Sequence, residues 1–354
     1  MNSGKWIAIM LLGMILTACA TWFAMKPALE ASERMKVDSP AKELVANRSN
    51  IPCDEVSIVR DNSPSLTKPM LFADVSCESD ALQGLKQELT AYIDSQKVAG
   101  KITRASVYYK ELNSLHWTSA YGNELFYPGS MLKVPLLLTI LKQAQRDKSF
   151  LERKIQFNSS NTLKVFVPVQ RPLQIGTFYT VQQLLEQMIF YSDNNATSLL
   201  FSIYDRAIYD NLFAKLSIAI QDPEDVYYRL AASDVSKFFR LLYNASYLSS
   251  LYSEYALDLL TKSEFKGGIL QGFPSGTKVA HKFGERFTTN DLVQLHESAI
   301  VYRGSAAFAV TIMTEGKSMG NLSAAIGALS KVCFEQKKAQ THQGNSTVAK
   351  TPQA

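Results

Sequence analysis

Apolar and polar positions divide the chain into distinct regimes. From Trp6 to Met25, twenty successive residues carry no charge, a length that spans a bilayer. Residues 27–82 are rich in Ser, Asp, Pro and Asn, and only two short alternating runs, EVSIVRD and KPMLFADVSC, predict a hairpin within an otherwise polar stalk. From residue 83 the pattern becomes that of a folded domain. LQGLKQELTAYIDSQ spaces its apolar residues as a helix does, whereas RASVYYKEL and HWTSAYG alternate like two antiparallel strands. A long helix is predicted from about Ser130 to Asp147, and a second over VQQLLEQMIF, where Thr180 and Gln183 make a capping box. Further helices fit 196–206 and 234–245. Strands return in TKVAHKFGE, ESAIVYRG and SAAFAVTIMTE, before a closing helix at about 320–336.

This order predicts an α+β fold. The first and last segments share one antiparallel sheet flanked by helices, and the centre forms an all-helical lobe. A cleft between the two is the natural ligand site. The expected organisation is therefore residues 1–26 as signal anchor or lipoprotein signal, 27–82 as polar stalk, 83–337 as the globular domain and 338–354 as a disordered tail without apolar periodicity.

With 46% hydrophobic and 19% charged residues the chain can bury a large core. The net charge is +5, but its 37 basic residues are interspersed with 32 acidic ones and form no dense block, which argues against a nucleic-acid partner. Leu16-Thr17-Ala18-Cys19 resembles the lipobox of bacterial lipoproteins, cut before the cysteine that receives the lipid. An uncleaved anchor over residues 6–25 explains the apolar residues beyond Cys19; both readings stand. Either leaves the remainder outside the cytoplasm, membrane-tethered in a bacterial envelope on its periplasmic side. That compartment permits disulfides, so Cys53 and Cys77 can pair. The four histidines are dispersed, and there is no CxxC or HExxH, so neither a metal site nor a cofactor is expected.

Chemistry concentrates in FYPGSMLKVPLLL. Ser-x-x-Lys spacing alone is weak evidence, since Ser39/Lys42, Ser65/Lys68, Ser263/Lys266 and Ser275/Lys278 share it. Only Ser130/Lys133 opens a long apolar helix, which puts both side chains on one face beside outward-pointing backbone N–H groups. A serine hydroxyl needs a base to attack, and a lysine serves only if burial or a nearby cation lowers its pKa. Ser192-Asp193-Asn194 then offers a hydroxyl and a carboxamide just after a capped helix. Lys282, in the strand VAHKFGE, offers a second cation, with Gly284 allowing close approach of a ligand backbone.

Taken in order, S-x-x-K, S-D-N and K-x-G resemble the motif set of class A β-lactamases and penicillin-binding proteins. The similarity extends from about residue 83 to 336 through LFYPGSMLKVPLL, YTVQQLLEQMIFYSDNNATSLL, GFPSGTKVAHKFGE and SAIVYRGSAAFAVTIMT. The resemblance implies a serine hydrolase in which Ser130 attacks an amide carbonyl of a β-lactam or of a peptidoglycan peptide. Lys133 then removes its proton, and Ser192 relays one to the leaving nitrogen. Asn194 would hold the substrate amide and Lys133, and Lys282 would supply positive charge and depress Lys133. The backbone N–H groups of Ser130 and Glu285 would hold the oxyanion.

Two departures qualify it. Phe283 replaces the threonine of K-T-G, and strand alternation would set Lys282, Gly284 and Arg286 on one face, so Arg286 is the candidate for carboxylate binding. The Glu-x-x-Leu-Asn string that carries the deacylation base is also absent. The shorter stretch SIAIQDPEDVYYRLAASD offers Asp222, Glu224 and Asp225, of which Glu224 is the candidate water base. Without one, the acyl-enzyme would persist, as in a D,D-peptidase or a β-lactam target. A non-catalytic binding or sensor module of the same fold is the remaining alternative.

Overall fold

Strand β3 (Arg104–Glu111) shows how the sheet is built: Ala105, Val107 and Tyr109 face one side and Tyr108 the other, and both sides are covered. The computed structural model describes residues 55–61, 66–159, 171–220, 228–288 and 291–344, with side chains as far as residue 336. Two short ladders, β5 (Leu125–Phe126) with β8 (Leu230–Ala231) and β6 (Lys154–Gln156) with β7 (Phe178–Thr180), stand apart, while β4 (Trp117–Ala120), β9 (Val279–Phe287), β10 (Val293–Arg303) and β11 (Ala306–Gly316) join β3 in a five-stranded antiparallel sheet. Its order is β4-β3-β11-β10-β9, so sequence-distant strands lie side by side as expected, and β9 forms one edge.

Helices α1 (Gln83–Val98) and α8 (Met319–Gly344) cover one face. There Leu85, Leu89 and Ile93 meet Val107, Val310, Ile312 and Leu329 in a continuous core. The opposite face carries the helical lobe. At its centre lies α2 (Lys133–Arg146), in which VPLLLTIL is buried on every side, the signature of an interior helix. Around it stand α3 (Val181–Phe190), α4 (Asn194–Phe201), α5 (Arg206–Lys215), α6 (Ala232–Tyr243) and α7 (Ser250–Thr261). Thr180 caps α3 as its sequence predicts: its hydroxyl accepts from Gln183 N at 3.1 Å, and Gln183 Oε1 accepts from Thr180 N at 2.9 Å.

Several boundaries differ from expectation. The helix read over 196–206 stops at Phe201, because Asp205 starts a new one, accepting from Ala207 N and Ile208 N at 2.9 and 3.2 Å. Helix α7 was not foreseen, since SLYSEYALDLL interleaves polar and aromatic residues without a clean stripe. The closing helix continues to Gly344, into the tail expected to be disordered.

The largest difference concerns the stalk. The compact unit begins at Val56, not at residue 83. Strands β1 (Val56–Arg60) and β2 (Met70–Val75) do form a hairpin, but Leu71 and Phe72 are buried in the core of the helical lobe. Asp74 fixes it there through a two-point ion pair with buried Arg240, at 2.7 and 3.0 Å, and a contact of 3.1 Å to buried Lys110. Cys77 is disulfide-bonded, with its partner outside the described residues, whereas Cys333 is a buried free thiol. The tether over residues 6–25, Cys19 and Cys53 also lie outside the described residues; among those described, no helix is long and apolar enough to cross a membrane.

Candidate active site

Gly129–Leu132 forms a single tight 3₁₀ turn that runs directly into α2, so Ser130 and Lys133 lie on the same side of the entry to the central helix. Strand β9 presses against this turn. A Cβ on Gly284 would lie 2.4 Å from the carbonyl oxygen of Pro128, and one on Gly129 (φ +53°) would lie 2.7 Å from that of Glu285. Both positions therefore require glycine, and together they bring the main chain of Glu285 alongside the residue preceding Ser130.

The third segment arrives through Ser192, held at φ +56°, a conformation that costs a non-glycine residue of order 1–3 kcal/mol and is imposed by its surroundings. Asp193, fully buried, accepts from Asn195 N and Ala196 N at 2.6 and 3.0 Å and so starts α4. This fixes the residue before it. The Lys133 ammonium donates to Ser192 O (2.6 Å), Ser192 Oγ (3.0 Å) and Asn194 Oδ1 (2.8 Å). From the sheet side, Lys282 Nζ donates to the same Ser192 Oγ at 2.9 Å and to the carbonyl of Phe283 at 3.1 Å. The two amines therefore meet on one hydroxyl.

Burial pushes the Lys133 amine down to about 7, with the charges of Asp193 and Glu285 pulling the other way. Lys282 also falls well below its ordinary value, chiefly through complete burial and then through repulsion by Lys133. The sequence expectation gave the lowering of Lys133 to its cationic neighbour; desolvation is instead the leading cause, since the helical lobe closes around the amine. Lys282 itself is fully covered, and its hydroxyl partner is Ser192.

The cleft has a volume of about 390 Å³, and Ser130, Lys133, Asn194, Glu285 and Arg286 line it, which is within the range of small-molecule sites. Ser192, Lys282 and Gly284 are not among the residues that line it. The guanidinium among the lining residues is that of half-buried Arg286, which stacks over the Tyr127 ring at 4.2 Å. Arg229 packs on that ring at 4.8 Å and donates to the Tyr127 hydroxyl at 2.9 Å. Glu285 and Arg286, adjacent on this edge strand, both line the cleft. Phe283 turns from the opening and stacks on Phe265 at 4.3 Å between ring centres. Glu224 lies outside the described residues.

Sequence reasoning missed the apolar wall formed by Leu132, Phe201 and Tyr209 with Thr197. A signal for two of these existed, because Asn194, Thr197 and Phe201 recur at helical spacing on one face of α4. Among the described residues no cluster of His, Cys, Asp or Glu could hold a metal ion.

The profile described as "Beta-lactamase enzyme family" matches residues 84–336. No curated protein matches the chain. Among solved structures, a beta-lactamase from Chitinophaga pinensis is 19% identical, covering 72% of this chain and 100% of that one, with a TM-score of 0.64. PBP-A is 17% identical, covering 73% and 97%, with a TM-score of 0.61. An ancestral class A beta-lactamase gives 19% identity, 70% and 99% coverage and a TM-score of 0.60. At these identities the likeness establishes the fold.

Proposed function

The chain belongs to the beta-lactamase enzyme family, and from that premise we propose that it is a serine hydrolase forming an acyl ester on Ser130 with β-lactams or related amides. The observation that carries this reading is the bridge from Lys133 Nζ to Lys282 Nζ across Ser192 Oγ, at 3.0 and 2.9 Å, one turn from Ser130. An amine lowered to about 7 is neutral in a large share of molecules at physiological pH, which a proton acceptor for a serine hydroxyl requires.

In the proposed cycle Ser130 Oγ attacks the amide carbon while Lys133 Nζ accepts the hydroxyl proton. The backbone N–H groups of Ser130 and Glu285 stabilise the oxyanion. Ser192 passes a proton to the departing nitrogen and is resupplied by the lysine pair. Asn194 holds Lys133 and the substrate's side-chain amide. Arg286, already at the cleft surface, takes the substrate carboxylate with its forked donors. The wall of Leu132, Phe201 and Tyr209 accommodates an apolar acyl side chain. The enzyme works on the outer side of a bacterial membrane, tethered through residues 6–25 or a lipid on Cys19.

A point mutant of PBP-A has been solved in an acyl-enzyme complex with penicillin-G, which makes that compound the natural probe. Intact-mass measurement of the full chain mixed with penicillin-G should show one added penicilloyl group, and Ser130→Ala should show none. No adduct at any concentration would sink the reading and favour a non-catalytic binding module. An adduct that never decays would favour the second reading, a D,D-peptidase of peptidoglycan stems, which the missing Glu-x-x-Leu-Asn string already suggests.

A further inference from the structure

We propose that the Glu285 carboxylate is the base that activates water to release the acyl group from Ser130; this rests on the acyl-enzyme reading above. Among the described residues that line the cleft, Glu285 is the one acid, and it shares that lining with Ser130 and Lys133. Its main chain abuts Gly129, the neighbour of the nucleophile, through a contact that tolerates no Cβ. It is half-buried and takes part in no ion pair or hydrogen bond with another described side chain, whereas the acids nearby are engaged: Asp193 caps α4, and Glu297 pairs with His281 at 2.6 Å. A half-buried carboxylate left without a partner is costly to the fold, and such groups concentrate where chemistry needs them.

Its surroundings suit the task. Burial raises the Glu285 carboxyl above its ordinary value, and the charges of Lys282 and Lys133 hold that rise in check. A carboxyl whose pKa is raised is, once ionised, a stronger base than an ordinary one. The charged and titratable groups around it are Lys133 from α2, Lys282 and Arg286 from its own strand, and Tyr127 beneath Arg286.

In the step, a water oxygen bonds to the ester carbon of acyl-Ser130 while one water proton moves to Glu285. Collapse of the tetrahedral adduct breaks the bond from that carbon to Ser130 Oγ, which takes the proton back from Glu285. The product leaves as a carboxylic acid and ionises in solvent. No redox partner or metal is needed.

The test follows decay of the penicilloyl adduct by intact mass in the full-length protein. Glu285→Gln should acylate and then release product ~10²–10⁴-fold more slowly, the contribution expected of a general base. The acidic limb of the pH profile for release should vanish with it, and Glu285→Asp should release slowly while retaining that limb. Circular dichroism of each variant checks the fold, and the Asp variant keeps the test decisive should the Gln variant be misfolded. Release by Glu285→Gln at the parental rate overturns the proposal. So does a change confined to KM for carboxylate-bearing penicillins, which would make Glu285 a charge selector, and so does stalling in Glu224→Gln alone. A parent protein that acylates without release overturns the proposal and leaves the acyl-enzyme reading standing; one that never acylates removes both.

Discussion

At the scale of single residues the site is a problem in desolvation. Lys133 is buried with a folded value of about 7 against an ordinary 10.5. Because the folded value is the lower one, the unfolded chain binds an extra proton throughout that window, and stability rises with pH across it. Urea titrations at its two ends should show that rise, and Lys133→Met should make it shallower, with Lys282 supplying the remainder. Acylation should fall as pH drops below about 7, where the proton occupies the base. The residue types and order of Ser130, Lys133, Ser192 and Lys282 were readable in the sequence because each motif is local. The cause of the shift was not, since burial comes from helices that the motifs do not contain.

At the scale of elements, two glycines let an edge strand press against a helix entry. Gly284→Ala places a methyl group 2.4 Å from Pro128 O, and this backbone contact has no flexible side chain to yield. The expected cost is about 1–3 kcal/mol in urea unfolding, the range for overpacking, together with loss of acylation as β9 moves off the turn. Gly84→Ala is the internal contrast: it lies in α1 with nothing within 4 Å and should stabilise by about 0.5–1 kcal/mol. Strands and capped helices were legible from period and from Thr180, whereas the break between α4 and α5 turned on one side chain, Asp205, whose capping role competes with continuation of the helix.

At the scale of the molecule the hairpin of Val56–Val75, read from sequence as part of a polar stalk, belongs to the folded unit. Asp74→Ala would strip the partner from Arg240 and Lys110, both buried, and should cost about 3–5 kcal/mol in thermal unfolding. Lys110, already lowered by burial, can shed its proton and moderates the loss. The sequence hid this docking because Arg240 and Asp74 are separated by most of the domain, and only the packed helix α6 brings them together. The same long-range closure operates at Ser192, where the helical lobe and the sheet each send an amine to one oxygen. A hydroxyl has two lone pairs and a single hydrogen. With both lone pairs occupied by the two amines, that hydrogen is left the remaining direction alone, and the closing of two lobes onto one oxygen sets it before any ligand arrives.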